Sequence, residues 1–191
     1  MIVSRLLAVD PGFAKRGKGC ACAFFRDGRL AGVWFARPEQ IATRAPVAWP
    51  VDPSLDLVLW ECPQVDSRSR ASVPAIVMLA AVGGELAGLY AGMTGAAVER
   101  VAPSAWKGSV PKPIAHGRLW RVLDDRERAV LGGDATARAI DAAKRKGALS
   151  RWGKPGAAYY AASFDAHNLL DAVELGCWKL GRRTATDTDT L

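Results

Sequence analysis

The chain is poor in the residues that build metal frameworks and cross-links. Its four cysteines are Cys20, Cys22, Cys62 and Cys177. Cys20-x-Cys22 would put two thiols on one face of a strand, with no second pair to complete a zinc site. The expectation is buried free thiols in a reducing cytoplasm. No apolar run approaches the ~20 residues a membrane span needs. The longest, from Val73 to Met93, is interrupted by Gly83, Gly84 and Glu85, so no membrane partner is expected. No secretion signal is read at the start, where the first apolar stretch is short and carries Asp10. Internal repeats are lacking too. Acids are outnumbered, 19 against 26 lysines and arginines, for a formal net charge of +7. A basic surface concentrates polyanions, and nucleic acid is the usual partner.

What is present is a 191-residue chain, half apolar and a quarter charged, long enough for one domain with a real core. SRLLAVD reads as a buried strand stopped by Pro11-Gly12. GCACAFFRDG and RLAGVWFAR read as two strands joined at Asp27-Gly28, a strong hairpin signal. RPEQIATRA suits a short helix, and the proline-bearing stretch after it a loop. LDLVLWE is a continuous apolar strand ending at Glu61, as in a central parallel strand covered on both faces. A polar loop, a long small-residue helix from Pro74 to about Met93, and the strand AAVERVAP follow. KGSVPKP then reads as a basic loop, and HGRLWRVLDDRERAVLG and DATARAIDAAKRKGAL as two charged amphipathic helices. A last helix is expected from about Ser163 to Leu180. The pattern predicts an α/β fold: a mixed five-stranded sheet, an antiparallel hairpin plus parallel strands, flanked by helices. One domain is expected over 1–182, with a polar flexible tail over 183–191.

Three acids occupy telling positions. Asp10 ends the first strand, Glu61 ends the fourth, and Asp171 lies in the last helix. A buried carboxylate is costly unless paired or metal-bound, and ligand sites of such sheets gather at strand ends. Each acid alone has an ordinary reading: a turn residue, a strand-end surface acid, an exposed helical acid. Three converging carboxylates repel one another, so a divalent cation is the natural neutraliser. Hard oxygen donors favour Mg2+, with Mn2+ able to substitute. Two such ions, roughly 3.5–4 Å apart, activate water and hold the leaving oxygen of a phosphodiester.

Four segments in order resemble one family. LLAVDPGFAKRG is similar to the first strand and turn of RuvC-type Holliday-junction resolvases, and LDLVLWECPQV to their fourth strand. VERVAPSAWKGSVPK resembles the strand and Pro-x-x-x-Lys segment that follow their long helix, and FDAHNLLDAVELG their catalytic helix. The matches span Leu6 to about Leu180, and the ECPQV and AWKG wording is closer to phage-type relatives. The resemblance implies a ribonuclease-H-like fold, magnesium-dependent cleavage of branched DNA such as four-way junctions, homodimerisation, and a bacterial or phage-infected cytoplasm. It carries catalytic and metal-ligand roles onto Asp10, Glu61 and Asp171.

The chain departs from the family at the fourth ligand. The family places Asp or His three residues before the last Asp, where this chain has Asn168. At ~100° per residue, His167 lies ~40°, Asn168 ~60° and Asp165 ~120° from Asp171 around the helix. His167 is the first choice, as ligand or general base. Asn168 is the alternative metal ligand through its carbonyl oxygen. Asp165 suits a helix cap, and Glu174 lies near enough to support the site. Leu169, Val173, Gly176, Cys177 and Leu180 form the opposing, packing stripe.

Candidate DNA contacts are Lys107 and Lys112 around the Gly-Ser-Val-Pro loop, Lys15 and Arg16 after Asp10, and Arg68 and Arg70 after Glu61. Lys144, Arg145, Lys146, Arg151 and Lys154 add a basic run, and Trp106, Trp152, Tyr159 and Tyr160 are candidates to stack on bases. The small-residue helix from Pro74 to Met93 is the candidate dimer face. Three rival readings follow from the same residues: a nuclease for RNA–DNA hybrids or simpler branches, a DNA-binding protein of this fold with weak catalysis, and an actin-like nucleotide binder. The last is disfavoured by the short chain and by the lack of a later glycine-rich phosphate loop.

Overall fold

In the computed structural model, residues 3–12, 19–43, 54–65, 72–107, 110, 112–145 and 166–182 are described. Among them five strands form one sheet: β1 (Arg5–Asp10), β2 (Cys20–Arg26), β3 (Arg29–Ala36), β4 (Leu57–Glu61) and β5 (Ala97–Val101). Their order is β3-β2-β1-β4-β5. β2 runs antiparallel to both β1 and β3, while β4 is parallel to β1 and β5 to β4. The architecture is the α/β, ribonuclease-H-like class expected, a mixed five-stranded sheet flanked by helices. The β2–β3 hairpin turns at Asp27-Gly28, both with positive φ (50° and 76°), which matches the twist of the flanking strands.

Strand alternation divides the core in two. Leu6 and Ala8 of β1, Phe25 of β2, and Leu57 and Leu59 of β4 share one buried cluster with Leu119, Ile140, Leu170, Val173 and Cys177. These last come from the helices α4 (Lys112–Val122), α6 (Gly133–Arg145) and α7 (Ala166–Lys179). Leu7, Val9, Val58 and Trp60 face the other way, onto Ile41 of α1 (Pro38–Ala42) and Leu86, Ala87 and Tyr90 of α2 (Val73–Thr94). The remaining helices are α3 (Pro103–Trp106) and α5 (Asp125–Val130).

Four sequence expectations change. The run from His116 to Gly132 is not one helix. It splits into α4 and α5 at Asp124, whose side chain accepts from the Glu127 N–H while the Glu127 side chain accepts from the Asp124 N–H, each at 2.9 Å. This reciprocal cap starts a new helix. α4 also begins earlier than expected, so Lys112 opens a helix rather than sitting in a loop. AAVERVAP, read from its sequence as an alternating strand, forms the edge strand β5, with Ala97 and Val98 both exposed and Val101 buried. Finally, an apolar run does reach span length: the long helix expected from Pro74 to about Met93 is α2, which passes through Gly83 and Gly84. The helix runs 22 residues and is long and apolar enough to cross a membrane by length and composition alone. Its Ile76, Gly83, Leu86, Ala87, Tyr90 and Ala91 are buried, and it packs on β4 and α1. Gly83 is there for contact: a Cβ would come within 2.6 Å of Pro11 Cγ, directly after Asp10.

Candidate metal centre

The sheet's alternation brings the acids together. Asp10 follows Ala8 by two residues and Glu61 follows Leu59 by two, so both project from the face that α4 and α7 cover. The parallel register pairs Ala8 with Leu59 and Val9 with Trp60, which sets Asp10 beside Glu61. α7 lies across β1 and β2. It lies so close that a Cβ on Gly176 would run into the Phe25 ring. That seat turns Asp171 inward. The three carboxylates are nearly sealed from solvent: Asp10 is 7% exposed, Glu61 6% and Asp171 2%.

Two ammonium groups enter the same space. Lys107 Nζ lies 2.7 Å from Glu61 Oε2 and 3.9 Å from Asp10 Oδ1, and sits over the Trp106 ring, 4.7 Å from its centroid. Lys112 Nζ contacts Asp171 Oδ2. His116, on α4 and 0% exposed, places Nε2 2.9 Å from Asp171 Oδ1. Glu174, one turn along α7, completes a group with His116 and Asp171 whose ligand atoms lie within 4.8 Å of one another.

The acids respond in opposite ways. Burial pushes the Asp10 carboxyl up to about 8; Lys107 opposes this, and the nearby Asp171 and Glu61 charges reinforce it. Burial alone would also raise Asp171. The Lys112 charge and the His116 hydrogen bond overcome it and hold Asp171 well below the usual carboxylate range. Glu174 is raised, chiefly by burial. Burial would lower both lysines, but the facing carboxylates outweigh it and raise them. Burial thus favours the protonated form of Asp10, while Lys107 stands against Glu61 and Lys112 against Asp171.

The donor set fits a hard divalent cation. Asp10, Glu61 and Asp171 supply carboxylate oxygens from three separate elements, with Glu174 and the His116 imidazole adjoining. Lys107 and Lys112, predicted as DNA contacts, stand among the acids rather than out on a loop. His167 and Asn168 are half-buried at the first turn of α7. His116, which the sequence did not single out, contacts Asp171 through its imidazole. Its signal was faint: a histidine four residues after Lys112 in an amphipathic stretch.

Asp165, Lys15, Arg16, Arg68, Arg70, Lys146, Arg151, Lys154, Trp152, Tyr159 and Tyr160 lie outside the described residues, as do the side chains of Lys144 and Arg145. Trp106 is partly buried against the core. All four cysteines are free, and Cys20, Cys22 and Cys177 are buried. Burial pushes the Cys20 thiol up to about 11 and Cys177 to about 12, which suits inert packing thiols. No family model matches this chain, and neither does any curated protein sequence.

Proposed function

We propose that this chain is a metal-dependent, structure-selective endonuclease of the RuvC resolvase type, hydrolysing phosphodiesters in branched DNA. One observation carries the reading: three buried carboxylates from β1, β4 and α7 converge with two lysines. Packing does not account for them, because three acids placed together in an apolar setting cost stability unless a cation joins them. Raised and lowered pKa values in one cleft are a mark of functional sites.

Asp10, Glu61 and Asp171 would hold Mg2+ or Mn2+. Bound there, the ion would lower the pKa of an attacking water and neutralise charge on the phosphate. As a ligand Asp10 would be ionised, its proton released to solvent on metal binding. Lys107 and Lys112 present ammonium groups toward the phosphate, and the net charge of +7 draws the polyanion in. A homodimer fits the symmetric nicking of a four-way junction. The outward side of α2 exposes Val73, Val77, Met78 and Met93, which supports that helix as the dimer face.

The test is cleavage of matched four-way junction, fork, flap and RNA–DNA hybrid substrates with Mg2+ or Mn2+. Paired nicks in the junction are expected, with D10N inactive. Preference for the hybrid would move the substrate class. Uncut DNA of every form, or D10N cutting like the parent, would sink the nuclease reading.

A further inference from the structure

Asp171 is gripped from one side of one helix. Lys112 and His116 are four residues apart in α4, so both project from the same face. Each takes a different oxygen: His116 Nε2 stands 2.9 Å from Oδ1, and the Lys112 ammonium meets Oδ2. The two contacts leave neither carboxylate oxygen of Asp171 without a partner on α4.

The two partners are physically unlike. His116 is sealed at 0% exposure in the packing between α4 and α7, and its ring has two torsions. It cannot leave Oδ1 without opening a buried gap. The Lys112 side chain is 40% exposed. Its four flexible carbons let the ammonium swing to solvent while the helix stays in place. One partner is fixed and the other can be exchanged.

We infer that α4 carries a two-part clamp on Asp171, in which His116 is a positioning residue that fixes the carboxylate and Lys112 is a displaceable counter-ion that yields its oxygen to a divalent cation and then meets a DNA phosphate. This rests on the metal-centre reading above and adds an order to it. An ammonium fills the Asp171 position until metal arrives, and the released charge becomes a contact for substrate. Metal loading and DNA binding are then coupled through one side chain.

The clamp makes two predictions of opposite sign, readable without catalysis. Mn2+ binding to the full chain is measured by the electron paramagnetic resonance signal of free Mn2+. Lys112→Met removes a competing cation and should bind Mn2+ about three- to tenfold more tightly. His116→Ala frees the carboxylate to turn and should bind about 10- to 100-fold more weakly. His116→Gln, whose amide can still donate to Oδ1, should recover part of that loss. This variant keeps the test open should His116→Ala fail to fold.

Weaker or unchanged binding in Lys112→Met overturns the exchange, and unchanged binding in His116→Ala overturns the positioning role. A parent chain that binds no Mn2+ overturns the metal centre and the clamp together, which separates the two failures. With Ca2+ in place, four-way junction binding should show a log–log salt slope shallower by about one in Lys112→Met. An unchanged slope overturns the phosphate contact.

Discussion

Two buried carboxylates at different places in this molecule have been given opposite environments. Glu127, 1% exposed, lies where α5 meets the β2–β3 hairpin and the end of α7. Its oxygens accept from the Leu30 N–H at 2.8 Å, from the Asp124 N–H at 2.9 Å, and from both terminal nitrogens of Arg182. Burial opposes ionisation there, yet the Arg182 and backbone donors bring its pKa down to about 2. Asp10 is equally hidden, faces two other acids, and has only the Lys107 ammonium at 3.9 Å as an ion-pair partner among the described residues. Its carboxyl rises to about 8. Glu127 has what a buried anion needs, and its place is structural. Asp10 lacks it, and the shortfall is what the proposed cation would supply.

The comparison breaks first on activity. On the proposed function, Asp10→Asn, Glu61→Gln and Asp171→Asn should each reduce metal-dependent cleavage on the order of 10³-fold or more, since each removes a charge from the proposed reacting centre. Glu127→Gln should cut at nearly the parental rate at a temperature where both remain folded. Equal losses at the two places, read from single-turnover cleavage of a junction, would dissolve the distinction.

Stability should fall in the reverse pattern. Glu127→Ala strands Arg182 and two backbone donors, for a loss of about 2–4 kcal/mol and a Tm lower by roughly 5–15 °C. Its Mn2+ affinity should not move. A melt unchanged from the parent would mean that Glu127 holds nothing together. Packing beneath the metal centre gives a smaller effect. Gly176→Ala drives a methyl into the Phe25 ring and should cost about 1–3 kcal/mol, moving Asp171 as it does so. A methyl added at Gly88, in α2, would meet nothing within 4 Å. Gly88→Ala should therefore gain up to about 1 kcal/mol from helix propensity. Identical melts for the two alanines would refute the close seat of α7 on β2.

How much of this was legible depends on whether the signal was local. Asp10 and Glu61 stand at the ends of apolar strands, and Asp171 in an amphipathic helix. Strand period and parallel register then carry the first two to one face, so sequence position sufficed. The hairpin at Asp27-Gly28 is likewise local chemistry. The α4–α5 break was also local, an Asp-x-x-Glu cap at Asp124, but it was hidden inside a charged amphipathic run whose periodicity continues across it. His116 was not local at all. Its partner is 55 residues away, and nothing in a histidine's immediate neighbours tells which helix face will meet α7. The α2 helix was legible across Gly83 and Gly84, but the use of those glycines, a close approach to Pro11 and Trp60, exists only once the sheet is formed.

The subtlest prediction concerns pH, and here the two acids should pull in opposite directions. Asp10 has a folded pKa near 8 against an ordinary value of 3.8. Between those values the folded chain holds a proton that the unfolded chain has released. Stability from this group is full below about pH 4 and drains away as pH rises through 8. Glu127 has the opposite sign: its folded pKa is near 2 against 4.5, so its contribution is full above about pH 4.5 and is lost as pH falls toward 2. Melts in EDTA from pH 5 to 9 exclude Glu127, which is ionised throughout, and the difference between parent and Asp10→Asn separates Asp10 from Glu174, which burial also raises. The parent should lose several degrees across that range, and Asp10→Asn should flatten the curve and melt higher than the parent at pH 8. Mn2+ should restore the parent at pH 8 while doing little for Asp10→Asn. If the metal-free parent holds its Tm from pH 5 to 9, Asp10 is already ionised in the fold, and the electrostatic contrast with Glu127 is lost.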